Sequence, residues 1–139
     1  MRLINGGIFV QYYLAADEKN KKQVRSLVKK LKTRGYNCLN DSSVISQTSR
    51  KSNIINMDES EEQMIEKADF ILVFLKAGKG NLYTIGYALA LKKKIIVYSP
   101  EKEHYHLGKK SIFHNMPYVD ICSGTFYKLE KMLHSVFVA

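Results

Sequence analysis

A short glycine-rich segment, Gly78-Lys79-Gly80, has the residue types and the position of a ligand-binding turn. It follows the apolar run 70–75 and precedes a helix that we expect to begin near Asn81. Backbone N–H groups at a helix N-terminus attract anions and polar oxygens, and the ammonium group of Lys79 adds positive charge. We therefore expect Gly78, Lys79, Gly80 and Asn81 to bind a ligand, with a phosphate near 78–81.

The same segment does not match two common nucleotide-binding motifs. A P-loop needs further glycines before its lysine and a Ser or Thr directly after it, whereas Gly80 and Asn81 follow Lys79 here. The segment also lacks the G-x-G-x-x-G pattern in the first strand–helix turn of a dinucleotide-binding fold. A nucleotide kinase or a dinucleotide dehydrogenase is therefore not expected.

Other groups of polar residues give weaker chemical signals. His104, His106 and His114 fit no zinc-ligand spacing and have no cysteine or carboxylate pair beside them, so we expect no metal and no cofactor. The acidic segment that begins at Asp58 contains Glu59, Glu61 and Glu62. Negative charge favours a helix N-terminus, so we expect a solvated first turn there, and the alternative is that one of these carboxylates faces the site.

The apolar segments that must position these groups alternate between strand-like and helix-like patterns. Strands are predicted over 8–14, 36–39, 70–75, 95–98 and 116–122, and helices over 17–34, 58–67, 81–92 and from 124 onward. This alternation predicts a single α/β domain, 1–139, with a flavodoxin-like or Rossmann-like three-layer fold. Its parallel sheet of about five strands is expected in the order 2-1-3-4-5.

Apolar stripes define the buried faces of the first and last helices. The first helix repeats apolar residues at i, i+3, i+4 and i+7, namely Val24, Leu27, Val28 and Leu31. The last helix carries a similar stripe of Phe126, Leu129, Met132 or Leu133, and Val136. Residues 44–57 form either a flap over the site or a disordered segment, and 101–114 form a second long loop.

Composition restricts the partners and the cellular compartment. The net charge of +9 favours anionic partners, but the lysines are spread over several elements, so we expect no nucleic-acid binding. Cys38 and Cys122 fall in predicted strands and are expected to be buried thiols. No apolar run approaches a membrane span, and the first seven residues lack a signal-peptide core, so a cytoplasmic protein is expected.

The sequence GNLYTIGYALALKKKII at 80–96, preceded by Tyr13-Leu14-Ala15 and Ala68-Asp69, resembles the nucleoside 2-deoxyribosyltransferase-like family. Members carry a glycine loop, then Glu-x-Gly-x-Ala-x-Ala at a helix start, then a basic or glycine turn into the next strand. The resemblance covers most of the chain. One departure matters: the family's nucleophilic glutamate stands two residues before the helix glycine, and here that residue is Thr84.

This resemblance implies a reaction and an assembly. Family members replace the base of a deoxynucleoside through a covalent sugar–glutamate intermediate, and a tyrosine matched by Tyr13 orients the glutamate. A threonine hydroxyl is neutral at pH 7 and cannot replace that carboxylate without a base. Members are commonly oligomers, so we expect a homodimer or larger assembly, with Tyr83 and Tyr87 as candidate interface residues.

Two functions remain open at this point. The first is a binding protein that holds a nucleoside, nucleotide or other ribose-containing ligand with lost or weak catalysis. The second is an active deoxyribosyltransferase or N-glycosidase that uses a displaced carboxylate, such as Asp17, Asp41 or one from a neighbouring subunit. The small residue Ala15 lets a ligand approach the backbone. Asp41 is either a sugar-hydroxyl acceptor or a turn or cap residue.

Overall fold

The computed structural model describes residues 2–4, 7–40, 59–75, 81–100 and 117–137. The strands are β1 (Arg2–Ile4), β2 (Gly7–Ala15), β3 (Tyr36–Cys38), β4 (Phe70–Phe74), β5 (Ile95–Ser99) and β6 (Val119–Ser123). The helices are α1 (Lys21–Thr33), α2 (Glu59–Lys67), α3 (Asn81–Ala90) and α4 (Phe126–Phe137), and a short 3-10 helix (Glu18–Asn20) leads into α1. The predicted loops 44–57 and 101–114 lie outside the described residues.

Five parallel strands form the sheet in the order β3-β2-β4-β5-β6. Numbered along the chain without β1, this is the order 2-1-3-4-5, so the predicted α/β fold is confirmed. Every residue of β4 and β5 is buried. Such uninterrupted burial is expected of central strands that helices cover on both faces.

An additional antiparallel strand, β1, was not predicted from the sequence. It pairs with the beginning of β2, with Ile4 opposite Gly7, so β2 begins before residue 8 and also extends one residue further, to Ala15. Two residues, Asn5 and Gly6, separate the two strands in the sequence. An Asn-Gly pair between apolar segments is a strong hairpin signal that the sequence analysis did not use.

The central pairing of β2 with β4 is fixed by one carboxylate next to β4. The backbone N–H of Gln11 donates to Asp69 Oδ2 at 2.8 Å, and the backbone N–H of Asp69 donates to the Gln11 carbonyl at 2.7 Å. These two bonds begin a register in which Tyr12 lies opposite Phe70 and Tyr13 opposite Ile71. Asp69 therefore sets where Tyr13 lies relative to β4.

The helices form one layer on each face of the sheet. After β2 the chain moves to one side to form β3, and after β3 it moves to the other side, so right-handed crossovers place α1 opposite α2 and α3. The core under α1 and α4 includes Tyr12, Leu31, Phe70 and Leu129, and the core under α2 and α3 includes Tyr13, Ile65, Ile71 and Ile85. Successive residues of β2 thus face different layers.

The boundaries of the predicted elements need correction near the C-terminal end. Pro117 lies in a turn, and β6 begins only at Val119, after Tyr118, whose positive φ of 65° belongs to a turn. In α4, Val136 is 40% exposed, while Phe137 packs against the Phe70 ring with centroids 5.0 Å apart. The predicted apolar stripe of α1 is confirmed, because Val24, Leu27 and Leu31 are buried and Val28 is partly buried.

Candidate functional site

The sheet order identifies the edge where a ligand would bind. The chain leaves β2 towards β3 on one side and returns through β4 on the other, so the strand order reverses between β2 and β4. In open α/β sheets, ligands bind at such a reversal, beyond the carboxyl ends of the strands. Ala15 ends β2 at this edge, and the chain after Phe74 leads from β4 to α3.

Tyr13 and Thr84 lie on the same side of the sheet. Tyr13 is 3% exposed and belongs to the core under α2 and α3, together with Ala15 and Ile85. Thr84 precedes Ile85 in the first turn and a half of α3 and is 4% exposed. The fold therefore brings the end of β2 and the start of α3 to one face of the sheet.

A carboxylate that the sequence analysis assigned to solvent contacts Tyr13. The Tyr13 hydroxyl lies 3.4 Å from Glu61 Oε2, and this hydrogen bond is partly buried. Glu61 precedes Ile65 by four residues and Ala68 by seven, and both of these residues are buried. That spacing places Glu61 on the inner face of α2 and was a usable signal for its orientation.

Glu61 therefore corrects the expectation of a solvated acidic turn. The alternative was that one of these carboxylates faces the site, and the contact with Tyr13 favours it for Glu61, so the preference for solvent was wrong for this residue. The carboxylate is also a new candidate for the displaced acid, next to the residue that the family resemblance matched to an orienting tyrosine. The donor–acceptor distance of 3.4 Å makes this a weak hydrogen bond.

Asn40 ties the chain after β3 to the carboxyl end of β2. Its Nδ2 donates to the Leu14 carbonyl at 2.7 Å, and its Oδ1 accepts from the Leu14 backbone N–H at 2.8 Å. Asn40 is 3% exposed and its Oδ1 also lies 3.3 Å from Cys38 Sγ. The Asn40 amide bonds to both backbone groups of Leu14, as a neighbouring strand would, and holds residue 40 next to the ligand edge. This role was not predicted from the sequence.

The remaining predicted ligand residues are placed only in part. Asp17 caps the 3-10 helix, because its Oδ1 accepts from the Lys19 backbone N–H at 3.0 Å, and its ligand role stays a prediction. Asn81 is the first residue of α3. Asp41, Gly78, Lys79 and Gly80 lie outside the described residues. Their proposed contacts with a ligand therefore rest on the sequence.

A side-chain hydrogen bond joins α2 to α3. The Tyr87 hydroxyl donates to Glu66 Oε2 at 2.7 Å, and Tyr87 packs in part against the core under α2 and α3. Lys93 Nζ donates to the Glu66 and Ala68 carbonyls at 2.7 and 2.8 Å, where its charge also favours the C-terminus of α2. These contacts fix the position of α2, and therefore of Glu61.

The thiols do not offer a nucleophile. Cys38 and Cys122 are buried and form no disulfide, as predicted. Burial raises the pKa of the Cys122 thiol, and the opposing charge of Lys128 does not reverse this shift. A protonated thiol is a poor nucleophile, so Cys122 is a core residue at the end of β6.

The described residues contain no cluster of metal ligands and no helix that could span a membrane. In this part of the chain no three His, Cys, Asp or Glu side chains lie close enough to hold a metal ion. The three histidines considered above, His104, His106 and His114, fall outside it. None of the described helices has the length and apolar character needed to cross a bilayer.

Comparison with solved structures gives the same fold. The CMP N-glycosidase BcmB of Clostridium botulinum superimposes with a TM-score of 0.57 and is 22% identical in sequence. The match covers 91% of this chain and 98% of that one. At this identity the likeness establishes the fold. No curated protein matches the chain in sequence.

The sequence comparison identifies the family. The family model for nucleoside 2-deoxyribosyltransferases matches residues 10–132, which include β3 to β6 completely and β2 from Val10 onward. The matched range contains Tyr13, Glu61 and Thr84, the three side chains around which the candidate site is built. The chain is a member of the nucleoside 2-deoxyribosyltransferase family.

Proposed function

We propose that this protein binds a nucleoside, a nucleotide or a related ribose-containing ligand at the carboxyl ends of β2 and β4. The observation that carries the proposal is the common face of Tyr13 and Thr84 at the point where the strand order reverses. Ala15 is the small residue that ends β2 at this edge, and the glycine segment before α3 would supply backbone donors. Lys79 would attract a phosphate to the same segment.

Covalent catalysis at residue 84 is not part of this proposal. The family reaction needs a carboxylate within about 3–3.5 Å of the anomeric carbon. Thr84 offers a hydroxyl, which is essentially neutral at pH 7 and has no histidine neighbour in the sequence. We expect base exchange to be absent or very slow, because the two-step mechanism lacks its nucleophile.

Calorimetry with a panel of nucleosides and nucleoside monophosphates tests the binding proposal. At least one ligand should bind, and Gly80→Asp should weaken binding by placing a carboxylate beside the proposed phosphate. A control variant, Gln63→Asp, introduces an acid at an exposed position of α2 and should have little effect. Silence across the panel, or equal affinity in the Gly80→Asp protein, would reject the proposal.

A second candidate function, one-step hydrolysis of an N-glycosidic bond, is favoured by the contact between Tyr13 and Glu61. Here Glu61 would remove a proton from water, the water oxygen would bond to the anomeric carbon, and the base would leave with the bonding electrons. A carboxylate acting as a general base needs no covalent intermediate, so Thr84 would not prevent this route. The CMP N-glycosidase with the same fold supports this choice of substrate class.

Chromatographic detection of cytosine released from CMP separates the two candidates. Hydrolysis that disappears in Glu61→Gln and persists in Glu62→Gln would support the second candidate, since Glu62 is the adjacent acid on α2. The Glu61→Gln protein should still bind the ligand, because the amide keeps the size of the side chain. Absence of hydrolysis in the native protein, together with measured binding, leaves the binding function as the activity of this site.

A further inference from the structure

The fold gathers most of the positive charge of the helices into one layer. Residues 21–34, comprising α1 and the residue after it, contain seven lysines and arginines and no Asp or Glu. On the other face of the sheet, α2 contains four glutamates and one lysine, and α3 contains no charged residue. The lysines of the whole chain are spread over several elements, but on the helices the positive charge is concentrated in this one segment.

Four of these cations form a continuous row on the solvent side of α1. Lys22, Arg25, Lys29 and Lys32 are separated by three, four and three residues, and all four are exposed. Spacings of three and four place residues on one helix face. The row is about 15 Å long, since a helix rises about 1.5 Å per residue.

Helix stability does not account for this basic row. Cations at the C-terminus of a helix are favourable, but Lys22 and Arg25 lie in the first half of α1, towards the positive end of its dipole. Like charges three or four residues apart also destabilise a helix. Among the described residues, no carboxylate forms an ion pair with any of the four.

The neighbouring helix α4 continues the basic surface and adds an aromatic ring. Arg34 Nε lies 2.6 Å from Glu130 Oε2, and this ion pair joins the two helices. Glu130 is the only acidic residue of α4. On the solvent side of α4, the Tyr127 ring is 63% exposed and Lys131 Nζ lies 5.5 Å from its centroid. An exposed aromatic ring beside cations is the combination that binds single-stranded nucleic acid.

We propose that the outer surface of α1 and α4 binds single-stranded nucleic acid without sequence preference, through phosphate contacts along α1 and base stacking on Tyr127. A stacked strand has one phosphate per about 3.4 Å, so the row on α1 spans about four phosphates. A membrane surface fits less well, because the apolar residues of α1 are buried against the sheet and cannot enter a bilayer. This inference does not depend on the proposed nucleoside site, which lies at an edge of the sheet.

Fluorescence anisotropy with a labelled 20-nucleotide single strand of mixed sequence tests the proposal. Four phosphate contacts predict a slope of log affinity against log salt of about −2.8, so affinity should fall about fifty-fold between 50 and 200 mM salt. In Lys29→Gln/Lys32→Gln the slope should be about −1.4 and the loss about sevenfold. Tyr127→Ala should weaken binding about tenfold and leave the slope unchanged, since stacking releases no counterion.

Matched controls separate this surface from general charge and from the nucleoside site. Lys67→Glu lowers the net charge by two, as does the double variant, but on α2, and it should keep the native slope. CMP at constant ionic strength should not displace the strand. The proposal is overturned by the absence of binding at 50 mM salt, by equal slope changes in the two variants, by displacement with CMP, or by preferential binding to phosphatidylserine vesicles.

Discussion

The Tyr13 hydroxyl lies 3.4 Å from Glu61 Oε2, although 48 residues separate the two along the chain. Tyr13 comes from β2 and Glu61 from the first half of α2, and the buried residues Ile65 and Ala68 hold α2 against the sheet. The family pattern places a carboxylate on α3, at the position of Thr84. In this chain the carboxylate that contacts the tyrosine comes from α2.

Replacement of Thr84 by glutamate should create base exchange. We expect Thr84→Glu to exchange the base of deoxyinosine with free adenine at least about 10³-fold faster than the native protein, because loss of a catalytic nucleophile costs up to about 10⁶ in rate. Thr84→Gln, which has the same size but no charge, should stay inactive. Rapid exchange by the native protein in a chromatographic assay would show that another residue is the nucleophile.

Removal of the Asn40 side chain should destabilise the protein. Asn40→Ala leaves the Leu14 N–H and carbonyl without their side-chain partner, at a cost of about 1–3 kcal/mol for each unpaired group. Urea unfolding should show this loss as a lower midpoint with an unchanged slope. Asn37→Ala, at a half-buried position in β3, should cost less. Equal losses in the two variants would contradict the role of Asn40.

The contact between Tyr87 and Glu66 should make stability depend on alkaline pH. The hydrogen bond to Glu66 raises the pKa of Tyr87 to about 12, helped by burial and by the charges of Glu66 and Glu62. An unfolded tyrosine has a pKa of about 10, so this contact stabilises fully below pH 10 and is lost as the pH rises through 12. Unfolding experiments across this window should show a smaller decline for Tyr87→Phe than for the native protein.

The control for this pH dependence is Tyr83→Phe on the same helix. Tyr83 is 48% exposed, so its replacement removes a phenol without removing the contact with Glu66. This variant should decline with pH as the native protein does. An identical decline in the Tyr87→Phe protein would show that the hydrogen bond does not contribute.

The exposed surface of α3 should carry the expected homo-oligomer contact. The Tyr83 side chain is 48% exposed and the Leu91 side chain is 40% exposed, and the two lie eight residues apart on the same face. Gly86, between them in the sequence, has open space where a Cβ would be. Tyr83→Arg should shift a dimer towards monomer by about thirtyfold or more in dissociation constant, as expected for an interface hot spot. Tyr127→Arg, on the opposite layer, should leave the mass measured by light scattering unchanged. A monomeric native protein at high micromolar concentration would reject the contact.

The fold was predictable because its signals are local and repeat along the chain. The apolar runs of β4 and β5 and the stripe of Val24, Leu27 and Leu31 each determine one element. The start of β6 and the burial of Val136 were predicted wrongly, because an apolar pattern shows which face of an element is buried but not the residue at which the element or its burial ends. The missed strand β1 had a local signal as well, in Asn5 and Gly6.

The candidate site was less predictable because its contacts join distant parts of the chain. The helix pattern places Glu61 and Ile65 on one face, but only the packing of α2 against β2 brings Glu61 to Tyr13. The sequence around Asn40 likewise indicates a turn, and only the folded chain brings the Asn40 side chain to the Leu14 backbone. The position of Thr84 came from the order of motifs in the family, which carries information that composition and periodicity do not contain.

The pairing of Gln11 with Asp69 has a consequence for biosynthesis. β2 cannot pair with β4 until the ribosome has synthesised β4, and residues 16–69 separate the two strands. At about 5–20 residues per second, synthesis of these 54 residues takes about 3–11 s. During that time the Tyr12–Ala15 end of β2 is an apolar strand edge without its central neighbour, which is a template for association with other nascent chains.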